Sequence, residues 1–204
     1  MDGPCHCPRC GLPVVRGPDG GWECGRDGVV PPLWPYEKPS VHGLLEQATE
    51  TDPPTWLPWP LPAHWSLSGV GRVGDETVEA TVLSCSGPDV VGVHADLVIV
   101  CEEPGVGLGA RYAGAGTLDV GTQIAGSPPT HSISVGSHAT PLWWVTGGAD
   151  RDVHVGEASG RWLWLVAWPA TAGAFVATDL ELVALDELLG QLEMIPLSAL
   201  CPRL

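Results

Sequence analysis

Cys7-Pro8-Arg9-Cys10-Gly11 sets two thiols three residues apart, the spacing at which one tight turn brings both thiolates to a single ion. The glycine that follows lets the backbone turn so that its amides face sulfur. Residues 12–16 are suited to one arm of a hairpin, Gly17-Pro18-Asp19-Gly20-Gly21 to its turn, and Trp22-Glu23-Cys24 to the returning arm, which carries Cys24 back beside the first pair. Gly25-Arg26-Asp27-Gly28 then repeats the knuckle pattern with an aspartate where a cysteine or histidine ordinarily completes a tetrahedron. The expected site is zinc held by Cys7, Cys10, Cys24 and Asp27. Cys5 and His6 compete for the fourth position because zinc favours sulfur and nitrogen, and His42 is a more distant rival. A site closed by four protein ligands is structural rather than catalytic, and so small a segment needs the metal in place of a core.

Other groups of reactive type do not assemble. Gly69-Val70-Gly71-Arg72-Val73-Gly74 and Gly105-Val106-Gly107-Leu108-Gly109-Ala110 resemble dinucleotide loops, but neither is expected to open a helix that would present its amides to a pyrophosphate. Ser86 has no nucleophile elbow, and His131 and His138 lie in a Ser/Gly-rich stretch where solvated histidine is usual. Glu102 and Glu103 end a strand and point to opposite faces. Most of the ten tryptophans are expected in the core, since one Phe and two Tyr leave little else to fill it. The candidate partner or ligand surface is Trp56 and Trp59 in a proline-rich stretch, with Arg111 and Tyr112 after the second glycine loop. A small-ligand pocket walled by Trp162, Trp164 and Trp168, with Arg111 reaching an anionic group, is the alternative, and would make the protein a ligand-binding protein or an enzyme.

The elements that must position these groups are mainly strands. Residues 77–85 alternate as a half-buried strand, 95–101 are apolar throughout, and 162–168 put Trp162, Trp164, Val166 and Trp168 on one face. Residues 175–178 and 180–184 add strand candidates. Ser40 caps a short helix over 41–48, and 186–193 read as another with acidic residues in its first turn. Prolines at 31, 32 and 35 and at 53, 54, 58, 60 and 62 exclude helix and central strand from the two stretches that hold them, on either side of that first helix. The expected architecture is α+β, mainly β, with a zinc-ribbon-like segment at 1–33, a Pro/Trp-rich connector at 34–64 and a β-rich acidic body at 65–204.

Composition limits the partners. The 204 residues are 44% hydrophobic, enough for a core, and carry 9 Lys+Arg against 24 Asp+Glu for a formal charge of −15. Residues 1–40 are almost neutral, so the body holds nearly all of that charge. Such a balance disfavours nucleic acid and anionic membrane, and no apolar run reaches the roughly 18 residues of a membrane helix. Cysteines clustered at metal spacing, with no secretory leader, fit a reducing cytoplasm.

CPRCG (7–11), the Trp22/Cys24 pair, WLPWPLPAHW (56–65), CSGP (85–88), GVGLGARYAG (105–114), TPLW (140–143), GEASGRWLW (157–164) and CPRL (201–204) together resemble an actinobacterial family to which no activity is assigned. The resemblance implies a CPxCG ribbon joined to a β-rich body, with no catalytic residue to carry over. It also implies histidine at the place of Asp27, from which this chain departs. Residues and resemblance together point to a non-catalytic protein that binds another protein and carries a structural zinc site.

Overall fold

The computed structural model describes residues 4–36, 38–177 and 180–204. Three short antiparallel strands form the N-terminal ribbon: β1 (Val14–Arg16), β2 (Trp22–Cys24) and β3 (Gly28–Val29). The rest is mainly β with a few short helices. In chain order it comprises β4 (Leu33–Pro35), α1 (Val41–Glu50), β5 (Trp56–Pro58), β6 (Ser66–Gly74), β7 (Val78–Pro88), β8 (His94–Glu102), α2 (Leu108–Ala113) and α3 (Gly121–Ile124). There follow β9 (His131–Val135), β10 (His138–Trp144), β11 (Asp152–Ala158), β12 (Arg161–Trp168), α4 (Gly173–Val176), β13 (Glu181–Ala184) and a 3-10 segment, Leu185–Met194.

Ten of these strands make one sheet in the order β4-β6-β7-β8-β12-β11-β10-β9-β13-β5. The proline-rich segment supplies both edges, which is where strands lacking amide donors can sit. The sheet bends until its far end approaches its beginning. Thr81 Oγ1 on β7 donates to the Pro54 carbonyl (2.8 Å), and buried Gln47 of α1 donates from Nε2 to Thr55 Oγ1 (2.9 Å) and to the Gly71 carbonyl of β6 (3.2 Å). Ser40 caps α1 as expected, its Oγ accepting from the Gly43 amide at 3.1 Å.

Both faces of the central strands are covered. Leu163, Leu165 and Ala167 of β12 face a core with Leu83, Leu97, Ile99, Trp56 and the 3-10 segment, while Trp164, Val166 and Trp168 face a second core with Val82, Val100 and α2. β7 is therefore buried on both faces from Ala80 to Cys85, where alternation alone suggested a half-buried strand. Residues 173–176 are a helical turn rather than the strand expected from 175, and Thr178 lies outside the described residues. The turn begins at Gly173, which packs so closely on Asp152 that a Cβ there would overlap the carboxylate. The first glycine motif, 69–74, lies within β6, its glycines admitting Leu204 at Gly69 and the Trp34 carbonyl at Gly71.

The second glycine motif corrects the sequence reading. It does open a helix: Gly107, in the left-handed region at φ 88, is the N-cap of α2. The amides at this terminus are already occupied by the protein's own carboxylate. Glu102, the last residue of β8, accepts from the Leu108 amide at Oε2 (2.8 Å) and from the Gly109 amide at Oε1 (3.3 Å). Gly109 lies on the Trp164 ring, where a Cβ would come within 2.2 Å of Cδ1. Burial pushes the Glu102 carboxyl up to about 7, against the pull of these amides.

A folded-state pKa above the unfolded one contributes stability below about pH 4.5 that is lost as pH rises through about 7. Relative to Glu102→Gln, wild type is expected to lose on the order of 3 kcal/mol across that window, read by denaturant unfolding at several pH values. A pH-independent difference would rule the buried carboxylate out as its source. Gly109→Ala is expected to destabilise by about 1–3 kcal/mol or more, measured in the same way.

Candidate metal centre

The register of the ribbon places the ligands. Val14 of β1 pairs with Cys24 of β2, and Cys24 pairs with Gly28 of β3, so the hairpin ends bring Cys24 and Asp27 beside the first knuckle. That knuckle is closed by the Gly11 amide donating to the Cys7 carbonyl (2.9 Å) and the Cys7 amide donating to the Leu12 carbonyl (2.7 Å). Gly11 at φ 77 and Gly28 at φ 71 supply the left-handed turn after each ligand pair.

The ligand atoms of Cys7, Cys10, Cys24 and Asp27 all lie within 4.8 Å of one another, close enough to hold a metal ion. Asp27 Oδ2 is 3.2 Å from Cys7 Sγ and 3.6 Å from Cys24 Sγ, and the sulfurs of Cys10 and Cys24 are 3.4 Å apart. Zinc bonds of about 2.3 Å to sulfur and 2.0 Å to oxygen at tetrahedral angles put sulfurs about 3.8 Å apart and sulfur and oxygen about 3.5 Å apart. Three sulfurs and one carboxylate oxygen therefore lie near the spacing of a tetrahedral metal site.

The electrostatics fit as well. In the protonated cluster, burial pushes the Cys7 thiol up to about 12 and raises that of Cys10, while hydrogen bonds from the Cys10 and Cys7 thiols lower the Asp27 carboxyl. The Arg26 amide, 3.4 Å from Cys24 Sγ, lowers that thiol. An ion takes the place of the thiol protons and removes the penalty of burying them as anions. Three thiolates and a carboxylate around a divalent ion leave two excess negative charges. The Arg111 guanidinium packs against Gly11, and its Nη1 is buried without a hydrogen-bond partner among the described residues.

The rivals for the fourth position lie elsewhere. Cys5 is buried in the ribbon's own small core, its Sγ directed at the Val14 carbonyl (4.0 Å). His6 exchanges backbone hydrogen bonds with Leu33 of β4 (2.9 and 2.7 Å), and His42 sits exposed on α1 beside Glu46.

The ribbon is clamped to the body at two places. Arg9, between the knuckle cysteines, donates from Nη2 to the Gly105 carbonyl (2.9 Å) and from Nε to the Val106 carbonyl (3.2 Å). On the other side Arg16 pairs with Asp75 at 2.6 Å, Trp22 Nε1 donates to the same carboxylate at 3.1 Å, and Trp22 meets Trp34 edge-on.

The expected partner surface is mostly interior. Trp56 is 6% exposed because β5 pairs with β13 and lays it on the core, and Tyr112 is 4% exposed on the buried side of α2. Trp59 is partly buried, and Arg111 faces the ribbon. Trp164 and Trp168 are also interior, whereas Trp162 opens on a cleft that Arg111 does not line. His131 begins β9 rather than lying in a solvated loop. It stacks edge-on with His154, whose Nε2 is 2.6 Å from Asp152. Ser86 donates to buried Asp96 (2.7 Å), which also pairs with Arg203 of the C-terminal tail (2.9 Å). Arg9 and Asp75 carry no role in the sequence reading, and Glu102 figures there only as a strand-end acid; its visible signal is an acid at the end of an apolar strand just before a glycine loop.

Among the described residues no helix is long and apolar enough to cross a membrane. No curated protein and no solved structure matches the chain. A family model matches the whole length, residues 1–204: the chain belongs to DUF6758, a family of unknown function.

Proposed function

We propose that the protein is a non-catalytic interaction protein of the cytoplasm, in which a structural zinc ion held by Cys7, Cys10, Cys24 and Asp27 braces the loop at 104–111 against the body. The observation that carries this reading is Arg9, which stands between two ligands and donates to the carbonyls of Gly105 and Val106. A knuckle ordered by metal holds that loop; a loosened knuckle releases it. Four protein donors leave no open coordination position for a substrate or water, which favours a structural ion over a catalytic one. The formal charge of −15 favours a partner with a basic surface and disfavours nucleic acid.

Native mass spectrometry is expected to find one zinc per chain, and Asp27→Ala to weaken its retention at least tenfold against a competing chelator. Zinc-free protein as purified, or Asp27→Ala with unchanged retention, contradicts the ligand set. Chelation is expected to speed amide exchange over residues 105–113. Arg9→Ala should do the same while zinc stays bound, and exchange that is unchanged in both cases rules out the bracing role.

A further inference from the structure

The cleft beside the braced loop has a volume of about 560 Å3 and is lined by Pro104, Leu118, Asp119, Glu157, Arg161 and Trp162, among others. Glu157 of β11 and Trp162 of β12 are direct cross-strand partners, so a carboxylate and an indole face stand side by side at its wall. The one cation in that lining is already neutralised: Arg161 pairs with Glu103 at 2.7 Å and with Asp52 at 3.2 Å. Asp119 uses one oxygen to accept from the Gly121 amide (2.8 Å). Among the described residues the Glu157 carboxylate has neither an ion pair nor a hydrogen bond, and Trp162 has no cation over its ring.

Elsewhere in the chain arginine is the group set over tryptophan. Arg16 lies 4.7 Å from the Trp22 centroid, and Arg151 and Arg203 lie 5.0 and 4.6 Å from that of Trp168. A planar guanidinium satisfies an aromatic face and a carboxylate together, and its methylene stem suits apolar walls. The charge of the chain supplies long-range attraction for a basic segment.

We propose that this cleft receives an arginine side chain from a basic segment of a partner protein, with the guanidinium stacked on Trp162 and paired with Glu157, and the stem against Pro104 and Leu118. The proposal rests on the reading of the protein as a binder of a basic partner.

The test titrates an amidated peptide of four Arg-Gly repeats into the zinc-loaded full chain at physiological salt, following heat and tryptophan fluorescence. Binding is expected, at least tenfold weaker for the Lys-Gly peptide, which lacks the planar fork. Glu157→Gln, an exposed and nearly isosteric change, is expected to weaken the Arg-Gly peptide at least tenfold. Glu193→Gln, which removes the same formal charge at an exposed site on the 3-10 segment, should leave it within twofold. Equal affinity for the two peptides, or equal weakening by both substitutions, overturns the arginine site while leaving a diffuse preference for basic partners intact. No binding of either basic peptide to wild type overturns the site and the basic-partner reading together.

Discussion

A carboxylate inside an apolar sheet needs donors, and Glu102 finds them in the first amides of α2. Much of this end of the molecule is arranged around that contact. The glycines of the loop exist to let backbone approach: Gly107 takes the left-handed turn, and Gly109 lets the helix settle on Trp164. With the loop seated from below, its outward carbonyls at Gly105 and Val106 are presented to Arg9. The same loop thus joins the body's buried Glu102 carboxyl to the ribbon's cysteine knuckle and borders the Trp162 cleft.

The ribbon depends on this arrangement as much as it contributes to it. Its own core is five buried residues, three of them cysteines, with Trp22 and Trp34 packed alongside. Apolar area on that scale does not offset the conformational entropy of ordering some thirty residues. The Arg9 contacts and the Arg16–Asp75–Trp22 cluster add to that packing, and the Cys7, Cys10, Cys24 and Asp27 ligand atoms are close enough for a metal ion to add more. The backbone pairing of His6 with Leu33 ties the ribbon to the strand that begins the large sheet.

Local features were legible in the sequence because their causes are local. Cys7, Cys10, Cys24 and Asp27 could be brought together from spacing and a hairpin turn; Ser40 announced α1; the apolar run ending at Cys101 announced a strand buried on both sides. What stayed hidden depends on distant partners. Trp56 reads as surface beside its prolines, and only pairing with Ala184 turns it inward. The helix opened by 105–109 is hidden because glycines crowd the residues around it, and the occupant of its amides, Glu102, resembles an ordinary strand-end acid. Burial on a second face, as at Thr81 and Leu83, is a property of the assembled layers.

The placement of Pro35 in β4 and Pro58 in β5 has a further consequence. A sheet this wide offers two borders on which another chain's strand might pair, yet each outermost strand here is three residues long and ends in a residue with no amide hydrogen. The C-terminal tail adds to the protection, its Ser198 and Cys201 amides donating to the Leu67 and Ser68 carbonyls of β6 beyond the reach of β4. A protein with so many valines and tryptophans in strands is thereby guarded against edge-to-edge aggregation, and the unusual proline content reads as protection of the sheet's borders rather than as a flexible tether.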